Sequence, residues 1–260
     1  MSTRKRQREL ARRKHERQNE RRQQSRMKRR TTQQIIAVVV VAALVVGSVA
    51  VWILSRPEGE PQTAESAPAA APICTEPAAV RENTLSWPQA PQQRTFDTAP
   101  LLRLETNCGS IAIQTLPELA PQTVSSEIFL AESGFYDGTA CHRVTTSGIF
   151  VLQCGDPAGD GTGGPGYTIP DENFPGEGAA NYPAGTVAMA NAGPGTSGSQ
   201  FFLVYEDTTL PAAYTIWGFV TEGLDVVRAI AASGTVDGGP DGSPAQPVVI
   251  ESATVSTGTG

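Results

Sequence analysis

The stretch Met189-Ala190-Asn191-Ala192-Gly193-Pro194-Gly195-Thr196-Ser197-Gly198-Ser199-Gln200-Phe201-Phe202 decides the fold. It starts at the end of an apolar run over residues 186–190 and passes through a loop of Gly, Pro and Ser. It leaves on a second apolar run over residues 200–205. Both runs are short and bounded by turn-forming residues, so both read as strands. Working outward, the same texture recurs at residues 101–105, 109–115, 141–145, 150–153, 215–220 and 248–255. The first two of these are joined by Thr106-Asn107-Cys108-Gly109, where Asn107 and Gly109 are expected to supply the positive φ of a tight hairpin. Only two segments read as helices. Residues 121–131 open with Pro121 at the first helical position and set Val124, Ile128 and Ala131 on one face; residues 224–232 stop before Gly234. Short strands with only two helices predict an all-β dominated domain, an antiparallel barrel or sandwich, over residues 99–257, with a short tail at 258–260. Trp217 is expected in its core.

The chain before this domain is of another kind. Residues 1–34 form a basic arm: its first 30 residues hold 14 of the 20 Lys and Arg and three acids. Residues 35–54 carry no charge and are long enough, as a helix, to span a bilayer core of ~30 Å. Trp52 falls near one end, where an indole rests at the interface. The basic arm should stay cytoplasmic, so a single-pass anchor in the cell membrane and an extracytoplasmic domain are predicted. A cleaved signal peptide fits less well, because the arm and the apolar run are both too long for one. The arm's charge suits contact with anionic lipid headgroups, although a topology signal is the plainer reading, and no nucleic-acid partner is expected. Residues 55–98 are rich in Pro, Ala, Glu and Gln and read as an extended linker. Residues 57–260 contain five Arg, no Lys and 23 acids. Cys74, Cys108, Cys141 and Cys154 all lie on the translocated side, where two disulfides can form in any of three connectivities.

The residue types exclude several chemistries. His142 is the only imidazole after the apolar run, so neither a Ser-His-Asp arrangement nor a His-rich zinc site is expected. The glycine-rich run at residues 161–166 lacks a Gly-Lys-Ser/Thr ending, and an acidic domain without Lys repels phosphate; it reads as a loop. One cation stands out. Arg143 is the only Arg or Lys between Arg103 and Arg228, and it lies inside an apolar segment. Such a group must find a carboxylate or a functional acceptor. Residues 150–153 alternate, so that Phe150 and Leu152 face one way and Val151 and Gln153 the other.

These patterns together resemble a known family. His142-Arg143-Val144, Phe150-Val151 followed by Gln153, Gly155-Asp156, the glycine run from Gly161, the segment Met189 to Pro194, and Gly198-Ser199-Gln200-Phe201-Phe202 resemble the cyclophilin signature in order and spacing. Phe135-Tyr136-Asp137-Gly138-Thr139 is similar to the family as well. The resemblance covers roughly residues 99–257. It implies a closed eight-stranded antiparallel barrel capped by two short helices. It implies a peptidyl-prolyl cis–trans isomerase without metal or organic cofactor, acting on proline-containing peptides and folding secreted proteins. Nothing in the sequence suggests an interface, so a monomer is the default expectation. Carried over by position, Arg143, Phe150 and Gln153 would be catalytic. Val151, Ala190, Asn191, Gln200, Phe202, Leu210 and Tyr214 would bind substrate. The sequence departs from the family at Val151, where Met is common, and at Tyr214, where His is common. The Trp that usually precedes the Leu210 position is absent, with Thr209 in its place, which implies weak cyclosporin binding. A non-catalytic, tethered peptide-binding or chaperone module is the alternative.

Overall fold

The computed structural model describes residues 73–77 and 85–257. The basic arm, the apolar run predicted to be an anchor, and the tail at 258–260 lie outside the described residues. Among the described residues no helix is long and apolar enough to cross a membrane.

The domain is a single curled antiparallel sheet with two helices. Its strands are β1 (Pro100–Thr106), β2 (Gly109–Thr115), β3 (Thr139–Ala140), β4 (Arg143–Thr145) and β5 (Val151–Cys154). They continue with β6 (Thr186–Met189), β7 (Phe201–Val204), β8 (Ile216–Glu222), β9 (Asp241–Gly242) and β10 (Val249–Thr257). Helix α1 (Pro121–Glu132) lies between β2 and β3, and α2 (Leu224–Ala232) between β8 and β9. The ten strands are ordered β3-β10-β1-β2-β8-β6-β7-β5-β4-β9.

The expected closed eight-stranded barrel is therefore corrected. Of the segment predicted as a strand over 141–145, only β4 is extended, and Cys141 and His142 separate it from β3. Strand β3, just before the predicted segment, pairs with β10, and β4 pairs with β5 and β9. Among the described residues no ladder joins β3 to β9. The covalent chain bridges the seam instead, because only two residues separate β3 from β4. The Cys141–Cys154 disulfide fastens this link to β5.

Alternation along the central strands builds two apolar layers. Leu152, Cys154, Val187, Met189, Phe201 and Leu203 point into the main core with Leu102, Ile113, Ile128, Phe135 and Trp217. Val151, Ala188, Phe202 and Val204, from the same strands, join Tyr182 and Ile216 in a second cluster on the opposite face. Both faces are covered, which is why β6 and β7 read as unbroken apolar runs rather than as alternating ones. Each large side chain buried in this way stabilises the fold by ~1.5–3 kcal/mol.

Helix α1 starts at Pro121, as its sequence predicts, but Ala120 gives it no side-chain cap. Glu172 supplies the missing acceptor from afar, taking bonds from the N–H groups of Gln122 (3.0 Å) and Thr123 (2.8 Å). A carboxylate there also suits the positive end of the helix dipole. In the β1–β2 hairpin only Gly109 takes a positive φ. Asn107, expected to share that task, acts through its side chain. Its amide donates to the carbonyls of Thr75 (2.8 Å) and Pro247 (3.0 Å) and accepts from the Val249 N–H (2.8 Å).

Residues before β1, read from composition as linker, touch the domain wherever they are described. Cys74 is disulfide-bonded to Cys108 in the hairpin, and the Thr75 N–H donates to Asn107 O (2.9 Å). Trp87 packs edge-on against Phe129 of α1, with ring centroids 5.0 Å apart. Arg94 pairs with Glu132 at the end of the same helix (2.8 Å).

Candidate functional site

Two cavities share a wall on the second face of the sheet. The smaller, about 170 Å³, is lined by Arg143, Ile149, Val151, Gln153, Ala190, Asn191, Phe202, Leu210 and Tyr214. The larger, about 700 Å³, is lined by residues 161–168, with Gln153, Ala190, Asn191, Thr196 and Gln200 among the others. Only the smaller cavity contains a charged side chain, so the chemistry is assigned there and the larger one is read as its extension.

The floor of the small cavity follows from strand register. Val151 and Gln153 of β5 lie opposite Val204 and Phe202 of β7, and Phe202 lies opposite Ala188 of β6. All of these point away from the main core. Buried Tyr182 fixes the far wall, meeting Phe202 (6.2 Å between centroids) and Tyr214 (6.2 Å), while Phe202 and Tyr214 stand edge-to-face at 5.5 Å. Its hydroxyl donates to Tyr214 O (3.1 Å). The neighbouring Asn181 amide clamps the Leu210 backbone, donating to its carbonyl (2.8 Å) and accepting from its N–H (3.0 Å). The side chain of Asn191 is spent on Ala213 O (2.8 Å) and the Gly193 N–H (3.2 Å). Among the described residues, the backbone N–H and C=O of Asn191 itself have no partner.

A directional chain of polar groups crosses from one cavity to the other. Arg143 Nη1 donates to Gln153 Oε1 (3.1 Å), and Gln153 Nε2 donates to Gln200 Oε1 (2.9 Å). Gln200 Nε2 then donates to the carbonyls of Gly161 (3.0 Å) and Gly163 (2.9 Å). Each amide has one donor side and one acceptor side engaged, so the chain fixes both orientations. On its other edge the Arg143 guanidinium grips Asp241, through Nε to Oδ1 and Nη2 to Oδ2, both at 2.7 Å. That bond holds Arg143 above its ordinary value and Asp241 below its own. Both groups stay charged through the neutral range. Burial lowers His142, the neighbour of Arg143, so its imidazole is neutral there.

The glycine-rich run is the wall of the larger cavity. Asp156, fully buried, turns it by accepting from the N–H groups of Ala158 (2.8 Å) and Asp160 (3.0 Å), and from that of Gly161. The segment before β1 supports the run from behind: the Trp87 N–H donates to Pro165 O (2.9 Å). A side chain at Gly166 would collide with Ser86 and Trp87.

Most residues carried over from the resemblance meet at these cavities, with two differences in place. Gln200 lines the larger cavity, not the smaller. Phe150 lines neither. It packs toward the main core, its ring 5.9 Å from that of Tyr205. Ile149 stands in the wall instead. The alternation of β5 contains the signal, since residues 149, 151 and 153 share one face. Asp241 was not singled out by the sequence either, because its partner is 98 residues away. Trp217 lies in the core, fully buried against Phe201.

The fold is a curled antiparallel sheet that carries a small, largely apolar pocket with one guanidinium in its lining. Residues 101–255 match the model of the family described as "Cyclophilin type peptidyl-prolyl cis-trans isomerase/CLD", and the chain belongs to that family. It is 49% identical over 158 residues to the probable peptidyl-prolyl cis-trans isomerase B of Mycobacterium tuberculosis, which covers 56% of this chain and 51% of that protein. The chain thus spans about half the length of this mycobacterial relative. It is 45% identical over 172 residues to peptidyl-prolyl cis-trans isomerase B of Streptomyces anulatus, covering 59% of this chain and 95% of that one. Among solved structures, a cyclophilin-type isomerase from Cryptosporidium parvum, crystallised in the presence of the dipeptide Ala-Pro, matches with a TM-score of 0.52 at 26% identity. That match covers 61% of this chain and 99% of the other.

Proposed function

We propose that this chain is a peptidyl-prolyl cis–trans isomerase that turns X-Pro bonds in extracytoplasmic client proteins without a covalent intermediate. The observation that carries the reading is Arg143 at the rim of the apolar cavity, with three of its five N–H donors engaged and two left over. Rotation about the peptide bond is opposed by a barrier of ~18–20 kcal/mol, which arises from amide resonance. Drawing the nitrogen lone pair out of that resonance lowers the barrier. The guanidinium donates to the prolyl nitrogen or the adjacent carbonyl oxygen only as the amide twists, and an interaction confined to the twisted state accelerates the step. Val151, Phe202 and Leu210 hold the proline ring, and Ile149 takes the place in the wall that the resemblance gives to Phe150. The unused Asn191 backbone groups hold the flanking peptide, while Gln153 steadies the guanidinium. The Ala-Pro dipeptide named with the Cryptosporidium relative supports a proline-containing occupant.

An extracytoplasmic location is supported by the basic arm followed by the uncharged run at residues 35–54, and by the fact that all four cysteines are paired. Thr209 stands where the family usually has Trp, and the indole surface it lacks is the basis for weak cyclosporin binding.

The test is NMR exchange of a short X-Pro peptide in the presence of the full-length chain, with Arg143→Ala as control. Exchange accelerated by the wild type and lost in the variant supports the reading. Binding without acceleration would move the protein to the tethered peptide-binding class, and the changes at Val151, Thr209 and Tyr214 would then be the place to look.

A further inference from the structure

The carboxylate that meets Arg143 comes from an element with little else to do. Strand β9 is two residues long and exists only through its pairing with β4, in which Asp241 lies opposite Thr145 and Gly242 opposite Val144. It is carried by a loop after α2 that is bonded within itself. The Gly238 N–H donates to Thr235 O (3.0 Å), Thr235 Oγ1 donates to Gly239 O (2.7 Å), and the Val236 N–H donates to Ser243 O (2.9 Å). The Thr146 N–H, donating to Pro240 O (2.8 Å), pins this loop to the end of β4. By this register Asp241 sits two residues diagonally from Arg143 on the neighbouring strand, a separation that a long side chain crosses.

The geometry of the contact is selective. Asp241 takes the Nε and Nη2 edge of the guanidinium side-on, and Gln153 takes one proton of Nη1. The two unused protons, one on Nη1 and one on Nη2, lie in the guanidinium plane, whose rotation is thereby stopped. The side chains of Arg143 and Asp241 are 39% and 51% exposed. An ion pair this open adds little to stability. A free Arg side chain at the same place would spread over many rotamers.

We propose that Asp241 is the positioning residue of this site: by holding the Nε–Nη2 edge of Arg143 it aims the remaining N–H groups at the prolyl amide. The inference rests on the reading of Arg143 as the group that acts on that amide. Asp241 does not touch the peptide. It acts through the guanidinium, so its loss affects turnover more than binding.

The experiment uses the full-length chain, labelled with nitrogen-15, and a proline peptide at concentrations that separate kcat from KM. Asp241→Ala lowers kcat about tenfold while KM changes by less than about twofold, as expected for misalignment of a charged donor. In the same variant the Nε–H signal of Arg143, sharp in the wild type, broadens by solvent exchange, while backbone signals outside β4 and β9 stay in place. Asp241→Asn, which keeps one acceptor oxygen and the side-chain shape, falls between the two and carries the test if the Ala variant does not fold. If kcat is unchanged in both variants while Arg143→Ala is inactive, Asp241 does not position the site, and the reading of Arg143 stands. If Arg143→Ala turns over at the wild-type rate, the reading of the site fails and this inference fails with it.

Discussion

Strands β5, β6 and β7 present two faces made from alternate residues of the same short segments, and the faces handle charge in opposite ways. On the inner face, Leu152, Met189, Phe201 and Leu203 are buried in the main core with Trp217, whose ring stands edge-on to Phe201. A carboxyl buried beside that layer, Glu127 of α1, has no exposure and meets the Tyr136 hydroxyl. Burial pushes it up to about 8, with the Tyr136 hydrogen bond pulling the other way, so it is mostly neutral at pH 7. On the outer face, Val151, Phe202 and Tyr214 leave a cavity, and its one cation stays charged and is paired with Asp241. A period of two residues is enough to place a sealed layer that suppresses charge and an open one that preserves it within 5 Å or so of backbone.

The largest expected effect tests the inner side. The Glu127 carboxyl rises from an ordinary value of 4.5 to about 8 on folding. The unfolded chain therefore releases its proton first. The stability tied to this group is fully present below about pH 4.5 and falls as pH rises, until it is gone above about pH 8. Each unit in that window costs about 1.4 kcal/mol at most. Calorimetric Tm values from pH 5 to 8 should show the slope, and Glu127→Gln should flatten it; an unchanged slope in the variant would place the titration elsewhere. Next in size, Phe201→Ala should cost about 3–5 kcal/mol in denaturant unfolding, with the folded fraction retaining its turnover. Arg143→Lys should do the reverse, lowering kcat/KM about 100-fold, because an ammonium lacks the planar fork, while unfolding shifts by less than about 1 kcal/mol. Phe202→Ala is the smallest of these and blurs the comparison: peptide affinity should fall about tenfold by titration, with a moderate loss of stability, since this ring belongs to both the cavity and the packing behind it.

Local patterns carried much of this architecture. Strand β2 and helix α2 begin and end where turn and breaker residues place them, and Pro121 marks the start of α1. What local pattern could not carry is what depends on a distant partner. Two-residue β9 has no apolar period and is defined only by β4. The break at Cys141 and His142 appears only because β10 pairs with the residues just before it and β5 with those just after it. The site shows the same division. Val151, Gln153 and Phe202 fall together because alternation and register put them there, whereas Asp241 reaches Arg143 across the loop after α2. Ile149 was within reach of alternation, but the resemblance named Phe150, and the strand's parity decides between them.

The Cys74–Cys108 bond gives the domain a mechanical property. The covalent chain enters the domain by way of Cys74, and the bond ties that residue to the tip of the β1–β2 hairpin. A pull arriving along the chain at Cys74 would therefore be taken up covalently by the hairpin before Trp87, whose N–H bonds to Pro165 O in the cavity loop. The staple would act as a strain relief, like the clamp on a cable, and leave the cavity wall unloaded.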